Sequence, residues 1–361
     1  MINAPPLKTL DEGSISLTAA APSSSLDVAR ATRQLLAAQD AETRQIAARA
    51  VAAACDNWDD DNKITARDAI LPLAKMLRAS AGEAEAGALA LRKMARNSEN
   101  QILIAKAGAI PPLVALLQNG TDVAKENAAG ALMFIAYRND NNKVAIAQAG
   151  AIPPLVALLQ NGTDKMQEIA AETLGYLAFC DLDNGSKNKA LIAKGVAISA
   201  SIAKAGAILP LVALLKNGTD GTKECAVGAL QALADFNDDN KVPIVSAGAI
   251  PLLVALLQNG YAITKEKAAG LLQYLAVDDD NNKVSIVSAG AIQPLVALLQ
   301  NGTDQMKECA AGTLGDLAYD SDNRVSIARA GAIPPLVELL QDGTLLAQEN
   351  AEWALSTLSD C

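Results

Sequence analysis

Histidine is absent from this chain. Its absence removes the commonest general base, the commonest zinc ligand and every Ser–His or Cys–His nucleophile pair. Cysteine is sparse: Cys55, Cys180, Cys225, Cys309 and Cys361 are odd in number, far apart, and form no CxxC pair. Neither a disulfide framework nor a zinc site is expected of them, and they fit a reducing, intracellular compartment, the cytoplasm ahead of the nucleus. Positive charge is in deficit, with 30 Lys and Arg against 40 Asp and Glu and a net charge of −10. That balance argues against nucleic acid and against an anionic membrane surface, both of which need clustered cations, and it permits a basic partner. No apolar run reaches membrane-spanning length, because Gly, Pro, Asn or Asp interrupts each one, so no direct membrane insertion is expected. The opening MINAPPLKTLDEGSISLTAAAPSSS has no basic n-region and no apolar h-region, which is unlike a secretory signal. Residues 1–24 read as a flexible lead-in, and Ile2 stands where N-myristoylation needs Gly. Aromatic residues are few: two Trp, five Tyr and three Phe among 361 residues.

Small and branched aliphatics fill the gap. Hydrophobic residues make up 51% of the chain, most of them Ala, Leu, Val and Ile, a composition suited to closely packed helices. They are written periodically. The letters AGAIPPLVALLQNGTD occupy 107–122 and return at 149–164, and AGAI begins at Ala107, Ala149, Ala205, Ala247, Ala289 and Ala330. The spacings are 42, 56, 42, 42 and 41 residues, a period that signals a stacked helical array. Within 141–178, Asn141 or Asn142 is expected to cap a short first helix, KVAIAQ. Gly150 ends it with a positive φ. Pro153 and Pro154 open a second helix with Leu155, Val156, Leu158 and Leu159 as its apolar stripe. Asn161 and Gly162 stop that helix, and Thr163 or Asp164 caps a third running to about Ala178. No unit of this kind buries its apolar face alone, so neighbours must stack.

The second helix AGAIPPLVALL and third helices such as KENAAGALMFIA (125–136), QEIAAETLGYLA (167–178), KECAVGALQALA (223–234), KEKAAGLLQYLA (265–276) and KECAAGTLGDLA (307–318) resemble the armadillo repeat. The resemblance implies an all-α, right-handed superhelical solenoid of about seven to eight three-helix repeats over residues 25–361. It further implies that third helices line a concave groove binding an extended peptide or another protein. Residues 41–55 read as an isolated third helix opening the stack, and 60–96 as an atypical first full repeat.

In family members with a peptide-binding groove, the third helix reads close to ENAAWALSNL. The Trp makes slots for Lys or Arg stems, and the Asn four residues later holds the peptide backbone. Here the Trp position carries Gly130, Glu172, Gly228, Gly270, Gly312 and, once, Trp353. The Asn position carries Phe134, Tyr176, Ala232, Tyr274, Asp316 and Thr357. No Asn stands in the ladder, which counts against recognition of basic signals of the nuclear-import type. Aromatics gather there instead. Phe134, Tyr176 and Tyr274 occupy ladder positions, Tyr137, Phe179 and Tyr319 lie one turn further, and Phe236 and Trp353 are nearby. Two readings stand. One is an apolar-aromatic groove with glycine floors at Gly228 and Gly270, in which Tyr176 and Tyr274 keep a wet hydroxyl. The other is rings that pack between adjacent third helices.

Acidic stretches recur where each third helix meets the next first helix: DNWDDDNK (56–63), NDNNK (139–143), DLDN (181–184), DFNDDNK (235–241), VDDDNNK (277–283) and DSDNR (320–324). They predict a negative edge, read either as attraction for a basic surface or as helix capping. The full calcium-loop pattern is missing, so no metal is expected. The long spacing hides an insertion near 185–202 that looks like a doubled first helix, with Lys187, Lys189 and Lys194 as a local basic group. It reads as a partner-specific knob or as a tolerated surface insertion. No glycine loop cradles a phosphate, no cofactor is implied, and no catalytic constellation is present. Cys225 and Cys309 occupy equivalent third-helix positions and read as packing variants. The expected function is a non-enzymatic adaptor that binds a protein segment in the groove. The alternatives are a scaffold subunit of a larger assembly and, more weakly, an import-type receptor for basic peptides.

Overall fold

The computed structural model describes residues 25–55, 67–179, 189–235, 237–277 and 279–359. The lead-in, Trp58, the first and third acidic stretches, Cys180, Lys187, Phe236 and Cys361 lie outside the described residues. The described residues form helices throughout, with no strand. Two helix pairs open the stack: α1 (Ser25–Ala37) with α2 (Ala41–Ala54), then α3 (Arg67–Met76) with α4 (Ala81–Met94). Three-helix layers follow. They are α5 (Ser98–Lys106), α6 (Ile110–Asn119) and α7 (Asp122–Ala136), then α8 (Asp140–Gln148), α9 (Ile152–Asn161) and α10 (Asp164–Ala178). Next come α11 (Lys189–Lys204), α12 (Ile208–Asn217) and α13 (Asp220–Asp235), then α14 (Lys241–Ser246), α15 (Ala249–Asn259) and α16 (Ala262–Ala276). The last layers are α17 (Asp280–Ser288), α18 (Ile292–Asn301) and α19 (Asp304–Leu317), and α20 (Ser321–Arg329), α21 (Ile333–Asp342) and α22 (Leu345–Ser359). The helix expected over 41–55 is therefore not isolated, because α1 packs on it.

The local chemistry explains these boundaries. Prolines sit in the first turn of α6, α9 and α21, where a missing N–H breaks no helix bond. Gly150 takes φ 82° between α8 and α9, a left-handed turn that a side chain would strain. Leu155, Val156, Leu158 and Leu159 are all buried, as their spacing predicted.

Capping is coupled to stacking. Thr121 accepts from the Ala124 amide and donates its hydroxyl to Glu85 of the preceding third helix. Thr303 reaches Glu266 at 3.3 Å and Thr344 reaches Glu308 at 3.4 Å in the same way. Glu85, Glu266 and Glu308 therefore each bind one repeat to the next.

The first helices correct the expected cap. Asn139, not Asn141 or Asn142, is the N-cap of α8. Asn142 is buried and donates to the Ile135 carbonyl at the end of α7, 3.0 Å away. Asn100, Asn240, Asn282 and Asn323 make the equivalent bond to Met94, Leu233, Leu275 and Leu317. Each satisfies a terminal carbonyl that would otherwise be buried without a partner.

Neighbouring third helices touch along their length, whereas second helices of adjacent repeats touch sparsely. A stack packed more tightly on one side curves around that side, so the third helices line the inner face.

Candidate binding face

The inner face is built from the last turns of the third helices. Tyr137, Phe179 and Tyr319 stand at one register, and they are 40%, 47% and 58% exposed. The chain leaves α7 and α10 in extended backbone at Tyr137 and Phe179, which turns both rings outward. Cations brace all three rings. The Arg138 guanidinium lies 5.3 Å from the Tyr137 centroid, Lys143 Nζ 5.8 Å from Phe179, and Lys283 Nζ 5.1 Å from Tyr319. Lys143 also donates to the Phe179 carbonyl at 2.8 Å and pairs with Asp140 at 2.9 Å.

The ladder aromatics behave differently. Phe134, Tyr176 and Tyr274 are half-buried against the core. Tyr176 donates its hydroxyl to Glu172 at 2.7 Å, and Tyr274 shares a hydrogen bond with Asp235. Burial and then the neighbouring carboxylate hold both phenols above their ordinary titration range. The hydroxyls expected to be wet are thus bonded within the chain. The two readings of the aromatics divide by register, with ladder rings packing and end rings projecting.

Two hollows flank the projecting rings. One, of about 410 Å³, lies between α10 and α13, lined by Tyr137, Tyr176, Phe179, Cys225 and Gly228. The Tyr137 and Tyr176 centroids are 5.2 Å apart at its rim. The other, of about 830 Å³, is lined by Tyr319, Trp353, Asp316 and Lys283, with Asp316 itself buried. Tyr319 and Trp353 are 6.1 Å apart, centroid to centroid. A hollow of about 680 Å³ between α15 and α18 carries no aromatic ring.

Of the two expected glycine floors, Gly270 is covered and Gly228 is not. Gly130 lies under Arg92, Gly270 under the Gln231 amide, and Gly312 under the Gln273 amide. These glycines give room to a long polar side chain from the preceding repeat. Gly228 alone among them lines the aromatic hollow.

Cys225 and Cys309 are both held in the thiol form. Burial, reinforced by Glu172 and Glu168, pushes Cys225 up to about 12, and burial pushes Cys309 up to about 11. Among the described residues no cluster of His, Cys, Asp or Glu could hold a metal, and no single helix is long and apolar enough to cross a membrane.

The acidic edge consists largely of caps. Asn139, Asp279 and Asp320 accept helix N-terminal amides, while Asp140, Asp238 and Asp280 pair with Lys143, Lys241 and Lys283 one turn on. The doubled first-helix pattern of the insertion lengthens one helix over its described residues. From Lys189 onward it is the single 16-residue α11, against nine residues in α8. Lys189 opens this helix, and Lys194 is exposed beside a hollow between α8 and α11. Sequence reasoning missed the buried asparagines, which recur in every regular copy, and the stacking glutamates Glu85, Glu266 and Glu308.

The Armadillo/beta-catenin-like repeat family matches residues 97–132, 139–179, 237–277, 279–319 and 320–360. These segments span more than half of the chain, and the chain belongs to the armadillo repeat family. The unmatched stretch between 179 and 237 is the repeat with the lengthened helix. No curated protein matches the chain. Among solved structures, an engineered protein from the Northeast Structural Genomics Consortium is 27% identical with a TM-score of 0.65, covering 92% of this chain and 88% of its own. A designed armadillo repeat protein is 25% identical with a TM-score of 0.59, covering 69% of this chain and 99% of its own. Another designed armadillo repeat protein, solved in complex with the peptide (KR)4, is 25% identical with a TM-score of 0.57 over the same shares.

Proposed function

We propose that the chain is a non-enzymatic adaptor of an intracellular, reducing compartment. It binds an extended protein segment on its inner face through bulky apolar or aromatic side chains. The carrying observation is the register of Tyr137, Phe179 and Tyr319, whose rings project beside hollows on the face that armadillo repeats use for binding. Paired pull-downs from native extract, read by mass spectrometry, test it. Wild type is compared with a Tyr137→Ala, Phe179→Ala, Tyr319→Ala variant of matched thermal stability. Loss of stoichiometric partners supports the adaptor reading, and full retention overturns it.

The scaffold reading rests on the outer surface. Ile102, Val242, Val284 and Val325 occupy one first-helix position and are all exposed, an apolar row that a permanent neighbour would cover. Val242→Asp with Val284→Asp releases partners under this reading and retains them under the first. Recognition of basic peptides, as in the designed relative with (KR)4, is the weaker alternative. Asparagine is missing from the ladder here, and Glu85, Glu266 and Glu308 are engaged by the next repeat.

A further inference from the structure

Adjacent third helices meet through two positions. One is the residue one turn before the projecting ring, and the other is the Trp-equivalent residue of the next repeat. Along the stack these pairs are Arg92 with Gly130, Met133 with Glu172, Gly175 with Gly228, Gln231 with Gly270, Gln273 with Gly312, and Gly315 with Trp353. At five of the six junctions at least one partner is long. Arg92, Gln231 and Gln273 each lie over the facing glycine, and Trp353 lies over Gly315, its ring 2.8 Å from where a Cβ would stand. At the third junction both positions are glycine, and the long side chain beside Gly228 comes from the following repeat: Lys267 Cδ lies 3.4 Å from where a Cβ would stand, along the wall of the hollow. Gly175 is needed there for close approach, since a Cβ would come 3.3 Å from the Ala229 backbone. The hollow of about 410 Å³ opens at this junction.

The last junction shows what fits such a place. Gly315 is the floor, Tyr319 is the projecting ring, and the chain's own indole lies over the floor at the side of the 830 Å³ hollow. The third junction repeats the floor as Gly175 and the ring as Phe179, and it has no indole. Tyr137 and Tyr176 add two more rings on the opposite side. The volume suffices, since a dry cavity of about 150 Å³ already admits benzene. The Cys225 thiol, neutral at ordinary pH, adds a polarisable wall.

Charge specifies what lies beside the ring. Arg138 is exposed at the rim and holds φ 51°, a left-handed backbone that a side chain adopts at a cost. Its guanidinium rests on the Tyr137 ring. Arg49 and Arg96 are also exposed on the third helices toward the N-terminal end.

We propose that the Gly175–Gly228 junction is an aromatic slot that receives a Trp side chain of the bound segment, with an acidic residue of that segment against Arg138. This rests on the inner-face reading above and names its anchor.

The probe is an acetylated hexapeptide amide with one Trp between two Glu, titrated by saturation-transfer difference NMR and by chemical shift. Controls replace Trp by Ala, or both Glu by Lys. The Trp peptide is expected to bind wild type at least tenfold more tightly than either control. Gly228→Trp supplies the missing indole, and the Trp353 junction shows that a third helix carries one there. This variant should keep the wild-type melting temperature and lose the peptide at least tenfold. Trp353→Gly opens an equivalent slot over Gly315 and should raise the stoichiometry from one to two. Equal binding of the Trp and Ala peptides, undiminished binding by Gly228→Trp, or no binding to wild type overturns the slot. Should the slot fail while the Tyr137, Phe179 and Tyr319 variant still loses its native partners, the inner-face reading survives without it.

Discussion

The repeat of α8, α9 and α10 and the repeat of α11, α12 and α13 solve one problem in two ways. A first helix must be tied to the end of the third helix before it. In α8 the tie is polar: Asn139 caps, Asn142 bonds the Ile135 carbonyl, and Lys143 reaches the Phe179 carbonyl. In α11 the residue at the Asn142 position is Ile198, buried, and Ser199 replaces Lys143. Length substitutes for the latch, with 16 helical residues against nine. Ser199, like Lys143, bonds the third helix of its own repeat, donating to the Leu233 carbonyl at 3.3 Å, and it accepts from Asn240 at 3.0 Å. Below the first helix the two repeats converge. Gly150 and Gly206 take φ 82° and 83°, and Leu155 and Leu211 are fully buried. The stack constrains the third helices strictly and the first helix loosely, because the third helices carry most of the contact between layers.

The comparison is sharpened first where the repeats agree. Leu155→Ala and Leu211→Ala should each cost about 2–5 kcal/mol, since both empty a dry core position. Hydrogen exchange resolved by repeat would show equal losses in the two layers, and a markedly smaller loss around α12 would mean the lengthened repeat is looser than its packing. The next largest effect separates them. Asn142→Ala orphans a buried carbonyl and should cost about 1–3 kcal/mol, whereas Ser199→Ala leaves Leu233 bonded to Asn240 and should cost under about 1 kcal/mol. Similar costs in chemical denaturation would erase the distinction between latch and length. Gly150→Ala and Gly206→Ala should each lose about 1–2 kcal/mol through the left-handed turn. A difference between them would show that α11 strains the turn that follows it.

The smallest effect is chemical. Cys225 of α13 is raised from 9.0 to about 12. The folded state therefore holds its proton longer than the unfolded state, and its contribution to stability is full below about 9 and is lost as pH rises toward 12. Near neutral pH the thiol form of Cys225 therefore dominates in the folded state. Labelling of Cys225 by a thiol reagent should be slow in the native protein and fast in denaturant. Fast native labelling would place the thiol in water and remove one wall of the proposed slot.

Much of the fold was legible because repetition averages out local ambiguity. Pro153, Pro154, Gly150 and Gly162 fix ends by backbone chemistry alone, and the Leu155 to Leu159 stripe fixes the buried side. The cap of α8 was misplaced by two or three residues because DNNK offers several equivalent oxygens. Only the neighbouring carbonyl of Ile135 decides which Asn is drawn inward. The site was legible as a set of residues and not as an arrangement. The register of Phe134, Tyr176 and Tyr274 differs from that of Tyr137, Phe179 and Tyr319 by three residues within the repeat. Whether a ring projects or packs depends on where the helix ends and on carboxylates such as Glu172 and Asp235.

The sequence by itself determined the array, its period, its helix boundaries to within a turn, and the absence of histidine chemistry. Each follows from the local bonding demands of single residues. Tertiary structure alone decided which glycines are covered, which aromatics face outward, and that Gly175 and Gly228, from different repeats, line one hollow. Such pairings depend on how one layer sits on the next, and no residue within a single layer encodes that distance.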